Sequence, residues 1–143
     1  MRFVALLVGL LIAFPALTGP FDSVAGVWYG QAQYQASKAG QPVNEAHAVV
    51  QLAIRVEPGG KLVGQSPENG CQLLGLATPF VGPNSFQLDV TLSKCGFSML
   101  NRRYTESLAL NPKAGTLSLS LNGNHVRVGE PAWSFNVKAT MTR

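Results

Sequence analysis

From Gly26 onward, apolar and polar residues alternate with a period of two, broken by turn residues about every ten positions. That spacing is the half-buried β-strand signal, and its regular interruption specifies many short antiparallel strands. Trp28, Gly30, Ala32 and Tyr34 fall on one face of a first strand, with Gln31, Gln33 and Gln35 on the other. Ala36 to Asn44 reads as a loop, and Ala48, Val50, Leu52, Ile54 and Val56 form the next inward row. Pro58-Gly59-Gly60 is a tight turn, Lys61 to Ser66 a short strand, and Pro67-Glu68-Asn69-Gly70 a second turn. Phe86, Leu88, Val90 and Leu92, then Tyr104, Leu108 and Leu110, then Leu117, Leu119 and Leu121 mark further strands. Asn122-Gly123-Asn124 reads as a hairpin turn, followed by a short return from His125 to Val128. Trp133, Phe135, Val137, Ala139 and Met141 share one face of the last strand.

About eight strands and no helix indicate an all-β domain, a small antiparallel barrel or a sandwich. The barrel is preferred because closure removes the exposed edges that an apolar-faced sheet would leave. Its interior row would include Trp28, Tyr34, Tyr104 and Trp133. A barrel of this size is either filled by its own side chains or holds one small ligand.

The N-terminus has a different character. Arg2 is followed by the unbroken apolar run Phe3–Phe14, then Pro15 and small residues. This is the layout of a secretory signal, and the run is short for a membrane span, which would be the alternative. Ala16-Leu17-Thr18 before Gly19 offers one cleavage site, and Ser23-Val24-Ala25 before Gly26 a better small-x-small match further from the run. The expected organisation is a signal over residues 1–18, with cleavage as late as 25, and one β-domain over 26–143. Export to the periplasm or the outside makes the two cysteines, Cys71 and Cys95, candidates for a disulfide. The turn Thr78–Asn84 folds their flanking strands into a hairpin that brings them together. A bridge closing a loop of about 25 residues stabilises by roughly 3 kcal/mol. No Cys directly follows the apolar run, so a lipid-anchored lipoprotein is not expected.

Two resemblances follow from these residues. Gly26-Val27-Trp28 opening the first strand is similar to the Gly-x-Trp start of lipocalins and avidins, up-and-down barrels in which the Trp packs across the floor. Asn69-Gly70-Cys71-x-x-x-Gly75, Phe86-x-Leu88-x-Val90, Cys95, Tyr104 and the leucine strand ending at Leu121 resemble small exported proteobacterial proteins and lipoproteins. The resemblance implies export, a disulfide and a β-domain, and carries no catalytic or binding residues across.

Chemistry-bearing residues are sparse. His47 and His125 lie in no catalytic pattern, and with both cysteines bridged too few ligands remain for a metal. No phosphate-binding glycine loop appears, so no cofactor is expected. The net charge of +4 comes without a dense Lys/Arg run, so nucleic acid is not an expected partner. Two features invite function. Alternation places Glu106 on the apolar face, where it either marks a ligand cavity or is turned out by a bulge. The loop Lys94–Arg103 carries Phe97, Met99 and Leu100 framed by Lys94, Arg102 and Arg103. It is either a protein- or membrane-binding tip or a lid over one barrel end. The expected function is non-catalytic: binding of a protein partner through this loop, in an inhibitor- or immunity-like role. The alternative is carriage of a small apolar ligand inside the barrel.

Overall fold

The computed structural model describes residues 19–143; the expected signal over 1–18 lies outside the described residues. Nine strands follow in order: β1 (Gly26–Lys38), β2 (Gln41–Pro42), β3 (Ala48–Val56), β4 (Lys61–Gln65), β5 (Gln72–Pro79), β6 (Ser85–Ser93), β7 (Arg103–Asn111), β8 (Thr116–His125) and β9 (Trp133–Thr142). Two single 3-10 turns, Asn44–Ala46 and Ser98–Leu100, sit in loops. All pairings are antiparallel, and β3 to β9 each neighbour the next in sequence. The sheet closes because β1 pairs with β3 from Gly26 to Tyr34 and with β9 from Tyr29 to Lys38. The result is an eight-stranded closed barrel with the two-residue β2 added beside β1, which excludes the sandwich.

Alternation sorts the side chains as expected. Trp28, Ala32, Tyr34, Leu52, Ile54, Leu88, Val90, Leu119 and Val137 point inward and are buried, while the residues between them face solvent. Two inward glycines let the wall coil. A Cβ on Gly30 would lie 2.2 Å from the Thr140 carbonyl oxygen, and one on Gly75 2.2 Å from that of Asp89. Only a residue without a side chain permits strands to approach this closely inside a small barrel.

Three boundaries differ from expectation. The loop expected over Ala36–Asn44 is mostly sheet: β1 continues to Lys38, turns at Ala39-Gly40 and returns as β2. Asn122-Gly123-Asn124 is not a turn, because β8 runs through it to His125 and the chain reverses only beyond. Gly123 is there for space: a Cβ would sit 3.1 Å from two ring carbons of Tyr104. The folded domain also starts before residue 26. Residues 20–24 form a turn that plugs the floor of the barrel, with Phe21 and Val24 buried. Phe21 stacks on Phe86 at 5.3 Å, and the Trp28 indole Nε1–H donates to the Val24 carbonyl at 2.8 Å. From the other end of the chain, the Arg143 guanidinium lies 4.5 Å over the Trp28 ring and donates to the Ala25 carbonyl at 3.2 Å.

This floor is testable in solution. Phe21→Ala should lower unfolding free energy by about 3 kcal/mol, the usual cost of emptying a buried phenylalanine site. A chain starting at Gly26, which loses Phe21 and Val24 together, should lose about 4 kcal/mol. Urea denaturation measures both, and unchanged midpoints would refute the plug.

Candidate functional site

The interior comes first, because a carrier would need room there. Trp28, Tyr34, Phe86, Tyr104 and Phe135 are all essentially inaccessible to solvent and fill the barrel between the two ends. The polar groups among them are paired internally. The Tyr34 hydroxyl shares a 2.6 Å hydrogen bond with Ser66 Oγ, and Ser66 is itself fully buried. The Tyr104 hydroxyl donates to the Leu100 carbonyl at 2.8 Å. Burial pushes the Tyr34 phenol above its ordinary range, partly offset by the bond to Ser66. Burial raises Tyr104 as well, against a lowering from nearby Arg102.

Trp133, expected inside, is half-buried at the rim. It stacks on Phe135 at 5.7 Å and tilts against Phe97 at 6.3 Å, and Lys38 Nζ lies 5.4 Å from its ring. It sits at the first residue of β9, where the barrel opens, and belongs to the lid.

Glu106 does not face inward. Its register partners Leu88 and Leu121 are both buried, yet Glu106 is exposed and accepts a hydrogen bond from Asn122 Nδ2 on the outer wall. The backbone makes the difference: φ at Glu106 is +144°, a conformation that swings the side chain out of the apolar row. A carboxylate among leucines would lack a partner, and that penalty exceeds the cost of about 1–3 kcal/mol for the unusual backbone.

The loop between β6 and β7 packs over one barrel end, the lid of the two arrangements that the sequence left open. Leu100 is buried, and Phe97 and Met99 are half-buried against the core. Arg102 lies 4.3 Å over the Phe135 ring and donates to the Met99 carbonyl at 2.7 Å, so its charge is used to pin the lid. The Cys95 N–H donates to Asn101 Oδ1 at 2.9 Å, and Cys95 is bonded to Cys71 across 24 residues. Lys94 remains exposed. Arg103 opens β7 on the outer wall, its Nε and Nη2 meeting both Asp89 carboxylate oxygens at 2.7 and 2.6 Å. The guanidinium holds the Asp89 carboxyl below its ordinary range. The apolar residues of this loop are needed indoors because the barrel end would otherwise be open.

His125 Nε2 lies 3.8 Å from Glu130 Oε2, and His47 follows the 3-10 turn at the lid end. Among the described residues no three His, Cys, Asp or Glu side chains converge on one point.

The feature that sequence reasoning missed is on the outer wall. On β5, Leu74 and Leu76 face solvent at 56% and 59% exposure, and Phe80 and Val81 continue the line to the hairpin tip. Cross-strand pairing sets Val63 of β4 beside Leu74, and Val27 of β1 two strands beyond Val63, with Arg55 of β3 between them. Val27, Ala53, Val63 and Leu74 line a groove of about 510 Å³ bordered by Arg55, Gln65, Gln72 and Ser93. The signal was present: Leu73-Leu74-Gly75-Leu76-Ala77 is apolar on both faces in a chain that otherwise alternates. A strand covered on one side only has no internal reason for this.

Three measurements check these placements. Glu106→Gly removes the strained backbone and should raise unfolding free energy by about 1 kcal/mol, net of glycine's own entropic cost. Both tyrosines are protonated longer in the folded than in the unfolded chain. Their stabilisation is therefore complete below pH ~10, the ordinary phenol value, and falls above it, by up to about 1.4 kcal/mol per pH unit for each. Tyr104→Phe should flatten that alkaline slope, read from denaturant midpoints between pH 9 and 12. Cys71→Ala with Cys95→Ala should cost about 3 kcal/mol, most of the stabilisation that a loop of this size supplies.

Comparison with known proteins returns no match: no family model, no curated protein and no solved structure is significantly similar to this chain.

Proposed function

We propose that this chain is an exported, non-catalytic barrel that binds another protein on its outer wall, in an inhibitor- or immunity-like role. The observation that carries the reading is the solvent-facing pair Leu74 and Leu76 on β5, continued by Phe80 and Val81 in the turn that follows it and flanked by Val63 of β4. Neighbouring exposed apolar side chains such as Leu74 and Leu76 on a small domain are a mark of a contact site. Export is supported by the signal-like start and by the disulfide, which persists in oxidising compartments. The filled interior supports surface recognition over carriage of an apolar ligand, because carriage needs space that the aromatic side chains occupy. A rigid closed wall suits recognition, since little ordering entropy is lost when a partner docks.

Gln65, Gln72 and Ser93 beside the groove, and Arg55 between Val63 and Val27, would fix orientation while the aliphatic side chains supply desolvation. The experiment compares Leu74→Asp with Leu76→Lys, combined, against the unaltered protein in pull-downs from an envelope fraction. Both positions are exposed, so the variant should keep its stability within about 0.5 kcal/mol. Its affinity for the captured partner should fall by about 2 kcal/mol or more, roughly thirtyfold. Phe97→Ala, by contrast, should loosen the lid and leave capture unchanged. Equal capture by the Leu74/Leu76 variant, with its fold intact, would sink this assignment.

A further inference from the structure

The sequence offers two places where a leader could be removed, and the floor of the barrel distinguishes them. We propose that cleavage falls between Thr18 and Gly19, and that the ammonium group it releases pairs with the Asp22 carboxylate. The inference rests on the export reading given above.

Removal after Ala25 would discard what closes the floor. Phe86 would lose its stacking partner Phe21, and the buried Trp28 indole N–H would lose the Val24 carbonyl it donates to. Arg143 would lose the Ala25 carbonyl and keep only the Trp28 ring. The plug is also internally bonded as one unit. The Asp22 N–H donates to the Gly19 carbonyl at 3.2 Å, and the Val24 and Ala25 N–H groups donate to the Phe21 carbonyl at 3.0 and 2.8 Å. A cut anywhere inside 20–25 breaks that unit, so the small-x-small junction compatible with the folded domain is the upstream one, Ala16-Leu17-Thr18.

A second observation marks Gly19 itself. Its nitrogen lies 2.7 Å from Asp22 Oδ2, already donating to a carboxylate three residues on. As an amide that nitrogen offers one proton and no charge. Hydrolysis of the Thr18–Gly19 bond adds one water: Thr18 departs as the carboxylate end of the leader, and the Gly19 nitrogen becomes an ammonium. The reaction is that of a signal peptidase of the export machinery. The bond to Asp22 then becomes charge-assisted, and the new terminus is fastened at the point where the chain enters the floor.

The test uses the full 143-residue chain expressed in a Gram-negative bacterium, with intact mass and N-terminal sequencing of the protein recovered from the periplasm and medium. The expected start is Gly-Pro-Phe-Asp. A start at Gly26, or at any residue other than Gly19, overturns the junction while leaving export standing. Protein that retains Met1 and stays in the cytoplasm overturns the export reading and this inference with it. For the ion pair, Asp22→Asn is compared in the processed chain and in a chain carrying one extra Met before Gly19. The melting temperature should fall by about 3 °C more in the processed chain at low salt. Equal losses in the two backgrounds would overturn the pairing.

Discussion

The structure depends on one seam, the antiparallel pairing of β1 with β9 from Tyr29–Thr142 to Lys38–Trp133. β1 is the longest strand, and from Tyr29 to Tyr34 it is bonded on both sides, to β3 and to β9. Without that seam the sheet would expose two long edges and an apolar face. With it, backbone donors and acceptors around the wall find partners, and the inward row has only itself to pack against. The close approach at Gly30, on β1 against Thr140 and Met141 of β9, lies in this same seam.

A closed barrel still has two open ends, and the molecule closes each differently. The floor is shut by the N-terminal turn, held through Trp28 by residues from both ends of the described chain, Val24 and Arg143. The opposite end is shut by the β6–β7 lid, fixed by the Cys71–Cys95 bridge, by Arg102 stacked on Phe135 and by Tyr104 donating to Leu100. With both ends shut and the interior occupied by aromatic rings, the accessible surface is the outer wall and the loops. There Leu74 and Leu76 of β5, with Phe80 and Val81 beyond it, stand among the exposed large apolar side chains.

Several features were legible from residues alone. Leu117, Leu119 and Leu121 with serines between them specify a half-buried strand whatever surrounds it, and β8 contains them. The Cys71–Cys95 pairing followed from a hairpin whose turn composition was plain. Other features were not legible because local residue identity did not carry them. Asn122-Gly123-Asn124 has turn composition, but Gly123 answers to the Tyr104 ring across the barrel. Glu106 sits on the inward register and is turned out by its own backbone, a local conformation that a hydropathy pattern does not encode. The Lys94–Arg103 loop reads equally as tip or lid until it is known that an open barrel end lies beneath it. On the outer wall, the double-faced apolar run of β5 was visible in the sequence, but its neighbour Val63 joins it only through cross-strand register.

The sequence by itself determined what depends on neighbours along the chain: strand periodicity, most of the turns, the inward and outward faces, and two cysteines placed to meet. The tertiary structure decided what depends on neighbours across space. It set the closure through β1 and β9, the plugging of both ends, the filling of the interior, and the placing of Val63 of β4 beside the outward leucines of β5. The physical reason is that period-two alternation records which side of a sheet a residue faces, and only the pairing of distant strands decides what lies opposite it.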